Sequence, residues 1–206
     1  MQKKVSLYVY DSLSDWEYGY LAPGINDSTF QNAPERLVVE TCASSLDPIT
    51  TAGGIRIAPD ALLQNVRVEE CAMFVLCGGS GWDGDRHDLA LSVAERFIKA
   101  QVPVAAICGA TLGLAKRGFL NTVNHTSNAP EFLHLGEYRG QDRYQEALAV
   151  SDQNIITASG IAPVEFARSI FEALHLYAPE ILEAWFKLHT TKQSVWYYKL
   201  CELAYS

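Results

Sequence analysis

Cys108 stands where a thiol can do chemistry. It follows the apolar run 104–107 and leads straight into Gly109, Ala110 and a segment of helical period. A nucleophile on a sharp strand-to-helix turn is held in a strained backbone conformation, so its neighbours must be small. Ala106, Gly109 and Ala110 meet that need. The partial positive charge at a helix start favours a thiolate, which predicts a lowered pKa for Cys108. The plain alternative for an isolated cysteine is an inert core residue. That is the reading for Cys42, Cys71, Cys77 and Cys201.

Further groups at predicted strand ends fit around such a thiol. Gly78-Gly79 lets backbone N–H groups approach a ligand, and with the N–H of Gly109 it offers an oxyanion hole; taken alone, a glycine pair is also an ordinary turn. Glu17 lies just beyond the first strand. It is either an acid that holds or moves the thiol's proton, or simply a first-turn helix acid favoured by the dipole. The segment 82–88 combines Asp83, Asp85, His87 and Asp88. Without a second run of ligands it reads as a loop in which Asp85 or Asp88 caps the next helix, not as a metal site.

The elements that must position these residues follow from hydrophobic period. Short apolar runs at 5–10, 37–41, 73–76 and 104–107 alternate with helix-period stretches at 16–21, 89–100 and 111–117. Doubly buried strands joined through helices make an α/β fold with a doubly wound, mostly parallel sheet and helices on both faces. Such sheets place their sites outside the carboxyl ends of the strands. Runs 147–150 and 155–158 read as an antiparallel pair turned at 151–154. The segment 163–177 reads as a core-covering helix, broken by Pro179. The expected division is a domain over 1–178 and a helical extension over 179–206. That extension carries Trp185, Phe186, Trp196, Tyr197, Tyr198 and Tyr205, an aromatic load suited to packing on the domain or on a second subunit.

Composition narrows the function classes. The chain has 206 residues, 49% of them hydrophobic and 19% charged, enough to bury one large core. A net charge of -8 with scattered Lys and Arg argues against nucleic acid as a partner. No apolar stretch has membrane length and the start lacks a leader pattern. Five cysteines without a C-x-x-C pair suit a reducing compartment. The expectation is a soluble cytoplasmic protein with no membrane partner.

These motifs together resemble the ThiJ/PfpI family of the class I glutamine-amidotransferase-like superfamily, over about residues 3–178. The stretch 105–115 with 117–120 is similar to the family's nucleophile elbow, its helix and the "aGLL" that closes it. Residues 154–160 running into the helix from Pro163 resemble its "liTs-G" strand, and Gly78-Gly79 its "pGG" loop. The resemblance implies a flavodoxin-like fold, a reactive Cys108, Glu17 as its acidic partner, and Gly79 and Gly109 as backbone donors. It implies no cofactor or metal and a small-molecule substrate, with a homodimer as the expected assembly. A histidine follows the cysteine directly in many relatives, but Gly109 stands there. Others use one on the next strand, where His125 lies, although counting from Gly118 favours Thr126. Thr126 and Asn128 are its substitutes, and with Gly78 they are the further pocket candidates. No His-x-Glu pair occurs, so glutamine amidotransfer is not expected. The implied activities are hydrolysis of amide or peptide bonds and glyoxalase-like or deglycase-like action on α-oxoaldehydes. The alternative is a stress-response protein whose cysteine is oxidised without turnover, or a chaperone-like one.

Overall fold

The computed structural model describes residues 3–31, 36–134 and 136–204. In chain order its elements are β1 (Lys4–Tyr8), α1 (Asp15–Tyr18), α2 (Leu21–Asn26), β2 (Val38–Ala43), β3 (Ile49–Thr50), β4 (Arg56–Ile57) and β5 (Ala61–Leu62). There follow β6 (Cys71–Leu76), α3 (Asp88–Lys99), β7 (Val104–Ile107), α4 (Gly109–Lys116), β8 (Ala149–Asp152), β9 (Ile155–Ala158), α5 (Pro163–Ala173), α6 (Pro179–Thr191) and α7 (Ser194–Ala204).

The main sheet has seven strands in the order β5-β2-β1-β6-β7-β9-β8. All pair in parallel except β8 with β9. The chain winds outward from β1 to β2 and then returns to β6 on the other side of β1, as a flavodoxin-like sheet does. Every residue of β7 is buried, because layers cover both faces of the centre. The amphipathic α3 turns Leu91, Val93, Ala94 and Phe97 inward, and Phe97 meets Phe74 of β6 at 5.2 Å. In α4 residues 109–115 are all buried, so this helix runs through the core and presents its first turn at the sheet's carboxyl edge.

Several boundaries differ from the sequence reading. The helix expected at 16–21 is broken at Gly19 and Tyr20 into α1 and α2. The hairpin turn is tighter, since β8 runs to Asp152 and Gln153 takes a left-handed φ of 52°. α5 stops at Ala173, and His175 turns the chain with a φ of 49°. Neither Asp85 nor Asp88 caps α3: His87 holds the N-cap position without a side-chain cap, Asp88 is already helical, and Asp85 faces Lys116 Nζ at 3.2 Å. Among the described residues no cluster of His, Cys, Asp or Glu is arranged to hold a metal. No described helix is long and apolar enough to cross a membrane.

The C-terminal segment forms two helices, separated where Lys192 takes a left-handed φ of 60°. Trp185 of α6 is buried, stacking edge-on to Phe171 of α5 at 5.2 Å and to Tyr20 at 6.2 Å. On α7 Val195, Tyr197 and Tyr198 face outward. Tyr205 lies outside the described residues.

Candidate active site

Strand ends meet at the carboxyl edge. Glu17 arrives on α1 beyond β1, Gly78 and Gly79 directly after β6, Cys108 after β7 and Gly160 after β9. Cys108 has φ 57° and ψ -124°, a conformation that L-residues avoid and that surrounding contacts must enforce. Its N–H donates to Ala158 O at 3.0 Å, and its carbonyl accepts from Thr111 N at 3.2 Å and Thr111 Oγ1 at 2.6 Å. With Thr111 Oγ1 donating there, Ser127 Oγ donates in turn to Thr111 at 2.6 Å. Thr111 and Ser127 thus brace the elbow.

Glycine on both sides of the sulfur is a steric requirement. A Cβ on Gly78 would lie 2.8 Å from the Cys108 Cβ, and one on Gly160 would lie 2.7 Å from its Sγ. Gly79, at φ 150°, has the carbonyl of Ser12 against the place a side chain would fill. Below the elbow, the Trp82 indole packs so close that Gly109 and Gly113 of α4 leave no space for a side chain either. Trp82 is itself fixed by Nε1–H donation to the Tyr10 hydroxyl at 2.8 Å and by stacking on His87 at 4.1 Å.

Glu17 is fully buried. Its Oε2 accepts the Gly78 N–H at 2.5 Å, while Oε1 is buried without a hydrogen-bond partner. Burial pushes the carboxyl up to about 7, against the pull of the Gly78 N–H, the Cys108 thiol and the Ser14 hydroxyl. Among the described residues no Lys, Arg or His pairs with it, so the acid keeps its proton into the neutral range.

Cys108 does not have the lowered pKa expected at a helix start. Burial pushes the thiol up, and the Glu17 carboxylate adds to this. The Asn128 amide and the Gly109 N–H only partly offset the rise. A helix's first N–H groups do act on the sulfur, but the adjacent buried acid and the desolvation outweigh them.

The side chain that reaches the sulfur from the 121–128 region is Asn128. Its Nδ2–H donates to Sγ at 3.5 Å, and its Oδ1 accepts the Gly160 N–H at 2.9 Å, which fixes the amide with its donor toward the thiol. His125 faces elsewhere. Its buried ring donates from Nδ1 to Val123 O at 2.8 Å, leaving Nε2 to accept from the Tyr138 hydroxyl at 2.9 Å. Burial lowers its pKa, and with both nitrogens engaged it is held neutral away from Cys108. Thr126 also faces away, its hydroxyl donating to Ala147 O at 2.7 Å. Sequence reasoning missed Trp16, whose half-exposed indole donates to Gly160 O at 3.1 Å from the open side of the site. A tryptophan beside Glu17 was the available signal.

A parallel doubly wound sheet with a cysteine elbow and a buried acid defines a class of α/β proteins whose site lies at the carboxyl edge. Within it, residues 3–173 match the model of the DJ-1/PfpI family, and this chain belongs to that family. It is 40% identical over 201 residues to the "Uncharacterized protease YoaZ" of Bacillus subtilis, covering 96% of each chain. It is 36% identical over 186 residues to "Uncharacterized protease YdeA" of the same organism, covering 88% of each. Among solved structures, a thiJ/pfpI family protein from Bacillus anthracis superposes with a TM-score of 0.93 at 38% identity, over 98% of this chain and 97% of the other. A DJ-1 superfamily protein from Agrobacterium tumefaciens gives 0.82 at 29% identity, over 93% and 99%.

Proposed function

We propose that this protein is a cysteine-dependent hydrolase or lyase acting on small electrophilic carbonyl compounds, with Cys108 as nucleophile, Glu17 as its proton partner and Asn128 as the third group at the sulfur. The observation that carries the reading is the fully buried Glu17 with one oxygen unpaired beside a strained, partly exposed thiol. An unpaired buried oxygen is costly to maintain, and a proton in transit between sulfur and carboxyl uses it.

In the proposed step the carboxylate of Glu17 takes the thiol proton as sulfur bonds to the carbonyl carbon. The C=O π pair moves onto oxygen, where the N–H groups of Gly109 and Gly79 receive it. The proton on Glu17 then passes to that oxygen or to a leaving amine, and for an acyl substrate water releases the product and restores the thiol. With an α-oxoaldehyde the same addition gives a hemithioacetal. Glu17 then takes the C–H proton of the carbinol carbon, the hydroxyl proton passes to the neighbouring carbonyl oxygen, and return of the first proton to the neighbouring carbon makes a thioester, which water cleaves to a 2-hydroxy acid and the free thiol. The amide and peptide reading accords with the names of the Bacillus subtilis relatives. The small aldehyde accords with a thiol closely packed by Gly78, Gly160 and Asn128.

The test is turnover of methylglyoxal, amides and peptides by the wild type, Cys108→Ala and Glu17→Gln. Activity rising through a pH of about 7 and abolished in Cys108→Ala supports the reading. Turnover that survives Cys108→Ala sinks it. One observation favours a second reading, oxidation without turnover: Cys108 is partly exposed and faces the Asn128 and Gly109 donors, whereas Cys42, Cys71 and Cys77 are buried and the partly exposed Cys201 lies on α7, outside the site. Mild peroxide then oxidises Cys108 selectively, as peptide mass analysis shows; uniform oxidation of all cysteines counts against it.

A further inference from the structure

A cleft of 360 Å³ has Asn128, the residue whose amide reaches the sulfur, among its walls. Ser159 and Ile161, on either side of the Gly160 that packs against the thiol, line it as well. Asn128 and the two neighbours of Gly160 thus join the walls of this cleft to the surroundings of the Cys108 thiol.

The walls have a definite chemistry. Leu148 and Ile161 are large apolar side chains left 47% and 83% exposed, enough to cover a methylene stem. The charged side chain lining the cleft is Glu146, and among the described residues it forms no salt bridge. Neither Lys nor Arg lines the cleft, so a carboxylate or phosphate finds no cationic partner there. An unpaired carboxylate above an apolar wall matches a side chain of the lysine or arginine kind, with a cationic head on an apolar stem.

We propose that this cleft is the recognition subsite for the group attached to the reacting carbonyl, and that Glu146 selects cationic, amine- or guanidine-bearing substrates over anionic ones. The inference rests on the reading of Cys108 as the reacting atom. It is separable from that reading, because charge selection is measurable without turnover.

The experiment uses the full chain and a pair of thiol reagents of similar size and opposite charge, aminoethyl and sulfonatoethyl methanethiosulfonate. Each transfers its thioalkyl group to Cys108 as a disulfide and releases methanesulfinate. Peptide mass analysis separates Cys108 from the partly exposed Cys201, and rates are normalised to a free small thiol. The cation-to-anion rate ratio at Cys108 is expected to fall about threefold in Glu146→Gln and about tenfold in Glu146→Lys. The wild-type ratio is expected to shrink in high salt. A ratio that stays the same in all three proteins overturns the proposal, whether or not Cys108 turns over a substrate. A shifting ratio in a protein without Cys108-dependent turnover upholds the cleft's selectivity and removes only the catalytic reading.

Discussion

Replacing Glu17 by Gln gives the most quantitative test of the buried acid. The carboxyl is raised from 4.5 to about 7 when the chain folds. Between those pH values the unfolded chain has released the proton and the folded one has kept it, so the native state binds more protons. Stability therefore falls as pH rises from about 4.5 to about 7, and is level above that. Each pKa unit is worth 1.36 kcal/mol, so the cost above neutrality is about 3 kcal/mol. Gln has the same shape, still accepts the Gly78 N–H and cannot ionise. For a domain of this size 1 kcal/mol moves Tm by roughly 2–4 °C. Glu17→Gln is then expected to melt roughly 6–12 °C above the wild type near pH 8.5 and within a few degrees of it near pH 5. Thermal unfolding followed by circular dichroism across pH 5–8.5 measures the difference, with Cys108-dependent turnover followed in parallel and expected to fall. A Tm difference independent of pH would refute the argument, since a merely structural contact has no reason to track the ionisation of Glu17.

Other perturbations separate the remaining groups. Asn128→Ala removes a donor from the sulfur and leaves the Gly160 N–H without its acceptor, so the thiol pKa is expected to rise further and the rate of Cys108 alkylation at pH 7.5 to fall severalfold; an unchanged pH–rate profile would exclude Asn128 as a thiolate partner. His125→Ala strands Val123 O and the Tyr138 hydroxyl, at a cost of about 1–3 kcal/mol in denaturant unfolding, while the alkylation profile of Cys108 stays as in the wild type; a changed profile would return His125 to the site. Cys108→Gly is expected to exceed Cys108→Ala in stability by about 1 kcal/mol, because glycine accepts a φ of 57° without strain, and equal stabilities would mean that the elbow relaxes.

The elbow was legible from residue type and order. An apolar strand ending in Cys108, followed by small residues and a helix, has few other foldings, and a parallel sheet then brings Glu17, Gly78 and Cys108 to one edge by topology alone. The third partner was not legible. Residues 121–128 form no strand, and His125 joins only an isolated bridge to Tyr144. The strand expected to carry His125 is absent, so no ladder sets which of His125 and Thr126 faces the thiol. Asn128 reaches the sulfur because Gly160, distant in sequence, holds its amide.

Sequence by itself determined which atoms could react and on which edge of the sheet they stand, since period, glycine placement and strand order are local or topological properties. Only the tertiary structure decided their protonation. The pKa values of Glu17 and Cys108 depend on how completely water is excluded and on which N–H groups point at them. The lowered thiol expected from a helix start gave way to a raised one, because desolvation and a neighbouring carboxylate act over the few ångströms that packing alone sets.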